Sequence, residues 1–296
     1  MEYKLLGKSD LKVSRIGFGC MSLKTDQKDT AAIIHAAIEQ GINYFDTADL
    51  YDKGLNETAL GAALKGKRDK VIVATKVGNQ WRADGSGWDW NPRRDHILEA
   101  VEQSLRRLQT DCIDFYQLHG GTIEDPIDET IEAFTALQQQ GKIRFYGISS
   151  IRPNVIRAYV ERSNIAGVMM QYSLLDRRPE ESILDLLQQN GIGVLARGTV
   201  ASGLLVNKPP KNYLDRSTEQ VAQGAQAIRQ VAAGKDPAQV AIQFALAREA
   251  ITAAVVGIRT MEQLKVAVEA GSQSVPLPAI EQLRSNVPVN TYAEHR

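Results

Sequence analysis

The sequence has few cysteines and balanced charge, and each of these features excludes a class of protein. Its two cysteines, Cys20 and Cys112, are too few for a disulfide framework and form no CxxC metal pair. We expect both to be small buried residues in a reducing cytoplasm, and we expect no metal site. The 35 basic and 35 acidic residues cancel, which argues against nucleic acid and anionic membranes as partners.

Long apolar runs are also missing. No stretch approaches the roughly 18 consecutive apolar residues of a membrane-spanning helix. The polar start, MEYKLLGKSD, lacks the apolar core of a secretory signal. These absences predict a cytoplasmic protein without membrane contact.

Short β-branched runs alternate along the chain with helical patterns. The strand-like runs lie at residues 15–20, 43–47, 70–76, 112–119, 143–150, 167–172, 192–197 and 252–258. The helical patterns that follow them lie near residues 27–40, 57–65, 93–108, 127–140, 153–162, 180–190 and 261–270, with a longer, partly helical region after the seventh run. Such alternation is typical of parallel strands joined by crossover helices, and eight units favour a closed barrel.

The segments outside this alternation complete the predicted architecture. Residues 3–14 have a turn-rich centre and are consistent with a hairpin. Residues 239–250 form an extra apolar helix, and the tail beyond Val275 holds one short helix among three prolines. Since no linker or further repeat is visible, we predict one (β/α)8 TIM barrel over residues 1–296, with an N-terminal β-hairpin and extra C-terminal helices.

Four reactive side chains fall where the strands of such a barrel end. Asp46 and Tyr51 follow the second strand, Lys76 ends the third, and His119 ends the fourth. Each has an ordinary structural alternative, such as a turn cap for Asp46 or a packed ring for Tyr51. Because active sites of α/β barrels lie at the carboxyl ends of the strands, the four together predict a catalytic site.

These four residue types suit proton donation to an oxygen that becomes negative. A phenol with an ordinary pKa near ~10 is a poor proton donor at neutral pH, and a nearby ammonium lowers that pKa. Lys76 can supply the ammonium to Tyr51, and Asp46 can hold Lys76 in place. His119 can hydrogen-bond a substrate oxygen or tune the tyrosine. The set contains no nucleophile beside a base and no cluster of zinc ligands.

The motifs around these residues resemble the aldo-keto reductase superfamily, in a bacterial branch. The resemblance rests on GINYFDTADLYDKGLNE, VATK and YQLH, and it extends from RIGFGCM to EQLKVAVEA. It implies an eight-stranded α/β barrel that binds NADP(H) and reduces aldehydes or ketones to alcohols. Under this resemblance Tyr51 is the general acid and Lys76 lowers its pKa. Asp46 then orients Lys76, and His119 orients the substrate carbonyl.

The resemblance also implies a cofactor site on the same rim. Ser149 in GISS and Gln171 in MMQY match positions that bind the nicotinamide carboxamide. Arg197 stands where many relatives have a stacking aromatic ring, and a guanidinium plane can stack in its place. Cys20 and Met21, in the partial glycine fingerprint GFGCMS, are expected beside the nicotinamide. The cofactor positions implied are Cys20, Met21, Asp46, Ser149, Gln171, Arg197, Gly198, Gly203, Gly257, Arg259 and Gln263.

The final strand-to-helix turn, VVGIRTMEQL, matches the site for the adenosine 2′-phosphate. Gly257 allows close backbone approach, and the following helix offers free N–H groups to an anion. Arg259 would add a charge-assisted contact. Thr260 and Gln263 also form a T-x-x-Q capping box, which gives Gln263 a structural alternative.

All three tryptophans, Trp81, Trp88 and Trp90, lie in NQWRADGSGWDWNPRRD, whose glycines and charges predict neither a strand nor a helix. The segment follows Lys76, so we expect it to project over the catalytic rim as a lid whose indoles form an apolar substrate wall. Trp88 is the first choice for substrate contact, and Trp90, next to Pro92, is expected to be anchored. The alternative is that Trp81 and Trp88 pack on the outer helices.

Two other functions remain open from the sequence. Lys76 could be the Schiff-base nucleophile of an aldolase. The barrel could instead be a catalytically weak cofactor-sensing module, like the potassium-channel β-subunits that share the family's fold. Val266 and Ala267 replace a polar Glu-Asn pair of relatives, so the preference for NADP over NAD is undecided. The sequence names no physiological substrate and fixes no oligomeric state, with a monomer slightly favoured.

Overall fold

The computed structural model describes residues 1–23 and 29–296. Its strands are β1 (Tyr3–Leu5), β2 (Lys12–Ser14), β3 (Ile16–Gly19), β4 (Tyr44–Asp46), β5 (Ile72–Val77), β6 (Asn79–Trp81), β7 (Trp88–Trp90), β8 (Ile113–Leu118), β9 (Ile143–Ser149), β10 (Gly167–Gln171), β11 (Gly193–Arg197) and β12 (Ile251–Gly257). Eight of them, β3, β4, β5 and β8 to β12, form a closed barrel in that order. All neighbours are parallel, so the predicted eight-stranded barrel is confirmed.

Two apolar clusters hold the barrel together. The inner one joins inward-facing strand residues such as Tyr44, Phe115 and Leu195 to Leu6 and Leu11 of the N-terminal hairpin. The hairpin β1–β2, which was also predicted, therefore closes the end of the barrel where the strands begin. The outer cluster lies between the strands and the surrounding helices. The carboxyl ends of the strands remain as the open rim.

The helices are α1 (Asp29–Glu39), α2 (Leu55–Ala63), α3 (Arg94–Leu108), α4 (Ile127–Gln139), α5 (Pro153–Arg162), α6 (Ile183–Gln189), α7 (Thr218–Ala232), α8 (Pro237–Leu246), α9 (Met261–Ser272) and α10 (Leu277–Asn286). The first predicted helix included positions 27 and 28, which lie outside the described residues. Helices α8 and α10 are the extra helices expected near the C-terminus. Within the described ranges, no helix combines the length and apolarity needed to cross a membrane.

One predicted helix is shorter than expected, and the region after β11 is partly helical, as predicted. The helix expected over 180–190 begins as a 3-10 turn, and Ser182, with φ of −161°, separates that turn from α6. After β11, Ala201–Gly203 form a 3-10 turn with positive φ angles at Ala201 and Ser202, and further turns and irregular residues lead to position 217. Helix α7 starts only where Ser217 and Gln220 form a reciprocal capping box.

The tryptophan segment is a β-hairpin, so the prediction that it is neither strand nor helix was wrong. Strands β6 and β7 pair antiparallel, with Trp81 opposite Trp88 and Asn79 opposite Trp90. Paired aromatic side chains stabilise a two-stranded sheet and here outweigh the neighbouring glycines and charges. The turn between the strands is closed at Gly85, whose N–H donates to the Arg82 carbonyl. Since partners across the ladder and alternate residues along it share a face, all three indoles lie on one side of the hairpin.

Candidate active site

The structure brings the four predicted catalytic residues together at the open rim. Asp46 is the last residue of β4, Lys76 lies near the end of β5, and His119 follows β8 directly. Tyr51 begins a 3-10 turn that leads into α2. Because β4, β5 and β8 are neighbours, side chains from segments up to 73 residues apart meet at one end of the barrel.

Lys76 is the centre of the group. Its ammonium donates to Asp46 Oδ1, to the Thr47 carbonyl at 2.7 Å and to the Tyr51 hydroxyl at 3.5 Å, so all three N–H groups have acceptors. Lys76 is 1% exposed and Asp46 is 4% exposed. Burial alone lowers the pKa of Lys76, but Asp46 and Tyr51 outweigh burial and raise the pKa. Lys76 is therefore a positive charge held beside the Tyr51 oxygen.

His119 faces Tyr51 across the site. The two rings meet edge to face, with centroids 5.7 Å apart. Burial, followed by the charges of Lys76 and Arg197, lowers the pKa of His119 to about 3. The imidazole is therefore neutral at physiological pH, and its Nδ1 is buried without a partner among the described residues. A neutral imidazole can donate one hydrogen bond to a carbonyl oxygen without adding charge.

Gln117 belongs to the site, although the sequence analysis did not include it. Its side-chain Nε2 donates to Asp46 Oδ2 at 3.1 Å, while Asp46 Oδ1 accepts from Lys76. Gln117 lies opposite Lys76 in the β5–β8 ladder and is completely buried. The period-two pattern of β8 was the available signal, because Gln117 shares its parity with His119 and must face the barrel interior.

The turn that carries Tyr51 is clamped to the barrel by Asn56, another residue that the sequence analysis missed. Asn56 accepts from the Thr47 hydroxyl at 2.7 Å and donates to the Cys20 carbonyl at 2.8 Å. Between these contacts, Asp52 and Lys53 have φ angles of 48° and 53°. Non-glycine residues pay roughly 1–3 kcal/mol for such a conformation, which surrounding structure must offset.

The expected nicotinamide-binding residues lie together on the far side of the rim. Gln171 ends β10 and Arg197 ends β11, and the Arg197 guanidinium donates to Gln171 Oε1 at 3.2 Å. The Gln171 amide also donates to Asp176 and to the Tyr213 hydroxyl, at 2.9 and 3.0 Å. Both amide hydrogens are thus engaged, and the Gln171 oxygen remains available to accept from a carboxamide. Ser149 ends β9, which neighbours β10.

Glycines keep the backbone of this region accessible. Gly198 has a φ of 71°, and a Cβ there would lie 3.3 Å from Gln171. A Cβ at Gly257 would lie 2.8 Å from the Ser22 hydroxyl, and Gly203 has a φ of 90°. The first loop differs from expectation in one respect. Cys20 is completely buried, whereas Met21 is 66% exposed, so Met21 alone of this pair presents its side chain.

The last strand-to-helix turn shows how Gln263 is used. Its side-chain oxygen accepts from the Arg259 backbone N–H at 2.9 Å, and its own N–H donates to the Thr260 hydroxyl at 3.2 Å. Gln263 therefore contacts the start of α9, but only half of the predicted capping box is present, because its side chain accepts from Arg259 and not from the Thr260 N–H. The Arg259 side chain is exposed at the N-terminus of α9. Val266 and Ala267 are buried, so they offer no polar group to a ligand.

The three tryptophans differ in their surroundings. Trp90 is anchored as predicted, because its indole N–H donates to the Asp125 carboxylate at 3.0 Å. Trp88 is 48% exposed on the same face of the hairpin. Trp81 turns toward α3, with the Lys53 ammonium 5.2 Å from its ring centroid. Trp88 is thus the most exposed indole, and Trp81 lines a cavity between the hairpin and α3.

The comparisons with known proteins agree with this geometry. The sequence model of the Aldo/keto reductase family matches residues 15–284. The chain belongs to the aldo/keto reductase family. It is 47% identical over 306 residues to YqkF, an uncharacterized oxidoreductase of Bacillus subtilis strain 168, with 100% of both chains covered.

Solved structures of aldo-keto reductases share the whole fold. The holo form of AKR11C1 from Bacillus halodurans has a TM-score of 0.94 at 47% identity, covering 100% of this chain and 99% of that one. Its apo form has a TM-score of 0.87 at 45% identity, with the same coverage. The glycerol dehydrogenase AKR11B4 from Gluconobacter oxydans has a TM-score of 0.84 at 27% identity, covering 96% and 94%. This aldo-keto reductase is accordingly an oxidoreductase on a (β/α)8 barrel.

Proposed function

We propose that this aldo-keto reductase reduces aldehydes or ketones to alcohols with NADPH, and that Tyr51 is the general acid. The observation that carries the proposal is the buried Lys76 ammonium, which donates to the Tyr51 hydroxyl beside a neutral His119. Lys76 provides a positive charge where the Tyr51 oxygen becomes negative. His119 provides a neutral hydrogen-bond donor for the carbonyl oxygen of the substrate.

The proposed reaction needs one hydride donor, the cofactor, and one proton donor, Tyr51. Bound at Ser149, Gln171 and Arg197, NADPH would supply the hydride for the carbonyl carbon and would become NADP⁺. Tyr51 gives its phenolic proton to the carbonyl oxygen, which yields the alcohol, and water later returns a proton to Tyr51. Lys76 stabilises the phenolate that forms, and Asp46 and Gln117 keep Lys76 in place. His119 orients the carbonyl oxygen by a hydrogen bond.

The residues at the rim fit this cofactor. Ser149 and the second lone pair of the Gln171 oxygen, which already accepts from Arg197, suit the carboxamide, and the Arg197 guanidinium lies beside them for contact with the ring. Gly198 and Gly203 leave backbone open to the pyrophosphate. At the other end, the N-terminus of α9 and the exposed Arg259 suit the 2′-phosphate. The greater similarity to the holo than to the apo relative also supports a backbone arranged for a cofactor.

The geometry argues against the two alternatives. A Schiff-base lysine must lose its proton and reach a substrate. Lys76 is 1% exposed, has three acceptors and has a raised pKa, so it suits the role of a fixed cation. A cofactor-sensing module needs no assembled acid, yet Tyr51, Lys76, Asp46 and His119 are in contact here.

Replacement of the phenol tests the proposal. Tyr51→Phe removes the proton donor and little volume, so we expect NADPH-dependent carbonyl reduction to fall by on the order of 10²-fold or more. NADPH affinity, measured by fluorescence titration, should barely change. Tyr159→Phe is the matched control, because Tyr159 is a buried tyrosine of α5 in the outer apolar cluster and not one of the four catalytic residues. Full activity in Tyr51→Phe would overturn the proposal.

A further inference from the structure

The turn that carries Tyr51 has three successive residues in the left-handed region. Asp52, Lys53 and Gly54 have φ angles of 48°, 53° and 85°. Only glycine adopts this conformation without strain, so Asp52 and Lys53 keep it because the surrounding structure stabilises the turn. Asn56 fixes one side of the turn to the first loop of the barrel. The other side is held by an ion pair between α2 and α3.

A buried carboxylate joins this turn to the strand of the catalytic lysine. Glu57 lies in the first turn of α2 and is completely buried. Its Oε1 accepts from the Thr75 hydroxyl at 2.6 Å, and its Oε2 accepts from the Arg107 guanidinium at 2.7 Å. Thr75 is the residue of β5 directly before Lys76. The helix that follows Tyr51 is therefore tied to the strand that carries Lys76.

Arg107 of α3 also touches the turn itself. A Cβ at Gly54 would lie 2.8 Å from both Cδ and Nε of Arg107, so the arginine side chain lies against the backbone of the turn. A Cβ at Gly61 of α2 would lie 2.6 Å from the Arg107 carbonyl oxygen. These two glycines allow α3 to pack closely on the turn and on α2. Arg107 thus prevents the turn from moving away from the barrel.

This group lies behind the catalytic residues and not among them. Successive residues of a strand face opposite sides, so Thr75 faces the helices while Lys76 faces the barrel interior. Glu57 and Arg107 can therefore influence the reaction only through the position of Tyr51. That position is sensitive, because the Tyr51 hydroxyl lies 3.5 Å from the Lys76 ammonium, at the outer limit of a hydrogen bond.

We propose that Arg107 is a positioning residue for the general acid, which holds the Tyr51 turn at its working distance from Lys76 through Glu57 and Gly54. This role depends on the proposed function of Tyr51. Arginine suits it, because the guanidinium donates twice to a carboxylate while the carbon stem packs against the backbone. The contact with Glu57 ties α3 to α2, and the contact with Gly54 braces the turn.

Replacing Arg107 with methionine keeps the stem and removes the guanidinium. With 4-nitrobenzaldehyde as the carbonyl probe, kcat should fall by about 10-fold or more, because a displacement on the order of 1 Å at a reacting group is costly. The KM for the aldehyde and the affinity for NADPH should change by no more than about twofold, since Arg107 contacts neither ligand. Arg107→Lys keeps a cation beside Glu57 and should recover kcat to within about threefold of the native value.

Arg68→Met is the matched control for loss of stability. Arg68 pairs with Asp114 at 2.6 Å, and its side chain is 27% exposed, against 25% for Arg107. It precedes β5, at the end of the barrel opposite the catalytic rim. The change should lower the unfolding temperature and leave kcat unchanged. Equal losses of kcat in Arg68→Met and Arg107→Met would overturn the proposal, because they would reflect general destabilisation.

A double variant separates the position of the turn from the charge of Glu57. Arg107→Met leaves Glu57 buried without its cation, which destabilises the fold. Adding Glu57→Gln removes that charge, and the new amide can still accept from the Thr75 hydroxyl. The double variant should be more stable than Arg107→Met and keep its low kcat. A native kcat in the double variant would show that Arg107 only neutralises Glu57 and would overturn the proposal.

Amide hydrogen exchange observes the turn without any catalysis. In Arg107→Met the amides of residues 50–57 should exchange on the order of 10-fold faster than in the native protein, and in Arg68→Met at the native rate. Unchanged exchange in Arg107→Met would overturn the proposal whatever the kinetics show.

The same variants distinguish this role from the proposed function. A native kcat in Arg107→Met, with Tyr51→Phe inactive, would overturn the positioning role and leave the function of Tyr51 intact. Faster exchange in Arg107→Met, with Tyr51→Phe fully active, would support the contact between Arg107 and the turn and overturn the function of Tyr51.

Discussion

Replacing Lys76 with methionine tests whether the buried ion pair supports both catalysis and folding. The change keeps an unbranched chain of similar length and removes the ammonium. Asp46 is then left 4% exposed with Gln117 as its remaining described side-chain donor. Carbonyl reduction should fall by on the order of 10²-fold or more, because no charge remains beside the Tyr51 oxygen.

The loss of folding free energy follows from the burial of the pair. Removing one partner of a buried ion pair costs roughly 3–5 kcal/mol, because the other charge stays without compensation. Adding Asp46→Asn removes that stranded charge. We therefore expect the double variant to be more stable than Lys76→Met alone by about 1–3 kcal/mol, while it stays inactive.

The pH dependence of the single variant has a defined direction. Burial raises the pKa of Asp46, and Lys76 is the main influence that opposes burial. In Lys76→Met the folded protein therefore keeps a proton that the unfolded chain releases near pH ~4. Stability from such a group is complete below the unfolded pKa and is lost as pH rises through the folded one. The variant should lose less stability at pH 5 than at pH 8.

Urea unfolding followed by circular dichroism, at pH values from 5 to 8, measures these effects. The native protein and the double variant are the controls, since neither has an uncompensated carboxylate at position 46. A stability loss in Lys76→Met that does not change with pH would refute the reasoning. The reasoning would also be refuted if adding Asp46→Asn lowered the free energy of unfolding as much as an independent substitution would.

Two further variants address the cofactor and the substrate. Arg259→Ala should weaken NADPH binding by about 1.5–3 kcal/mol, the range for a charged hydrogen bond, and leave NADH binding nearly unchanged. Fluorescence titration measures both affinities, with Arg229→Ala at an exposed position as the control. Equal weakening of both nucleotides would mean that Arg259 has a structural role. Trp88→Ala should raise the KM for bulky aromatic aldehydes and leave small polar ones nearly unchanged, because the 48% exposed indole adds apolar contact and no core packing. Unchanged specificity in steady-state assays would exclude Trp88 from the substrate wall.

The sequence alone was sufficient to predict the barrel and to predict that the four candidate catalytic residues lie at one rim. Strand and helix patterns are local, since they depend on alternation over a few residues. Parallel strands in a barrel all end at one rim, so Asp46, Lys76 and His119 could be placed together once their strands were recognised. The N-terminal hairpin was predicted for the same reason, from a turn-rich centre between short apolar stretches.

The tertiary structure decided which atoms meet at that rim. The three acceptors of Lys76 come from residues 25 to 30 positions earlier, and the Gln117 contact with Asp46 spans 71 residues. Such contacts depend on strand register, because a shift of one residue in the pairing moves every side chain of the strand to the opposite face. The tertiary structure also decided that Met21, and not the buried Cys20, presents its side chain at the first loop.

The tryptophan segment shows where prediction from the sequence fails and the tertiary structure is needed. Its glycines and charges predicted no regular structure, but pairing of Trp81 with Trp88 formed a hairpin that places all three indoles on one face. From that face Trp90 is anchored by Asp125, Trp88 stays exposed, and Trp81 lies beneath the Lys53 ammonium. The hairpin pairing lies within the segment, but the surroundings of each indole depend on residues outside it, such as Asp125 for Trp90 and Lys53 for Trp81.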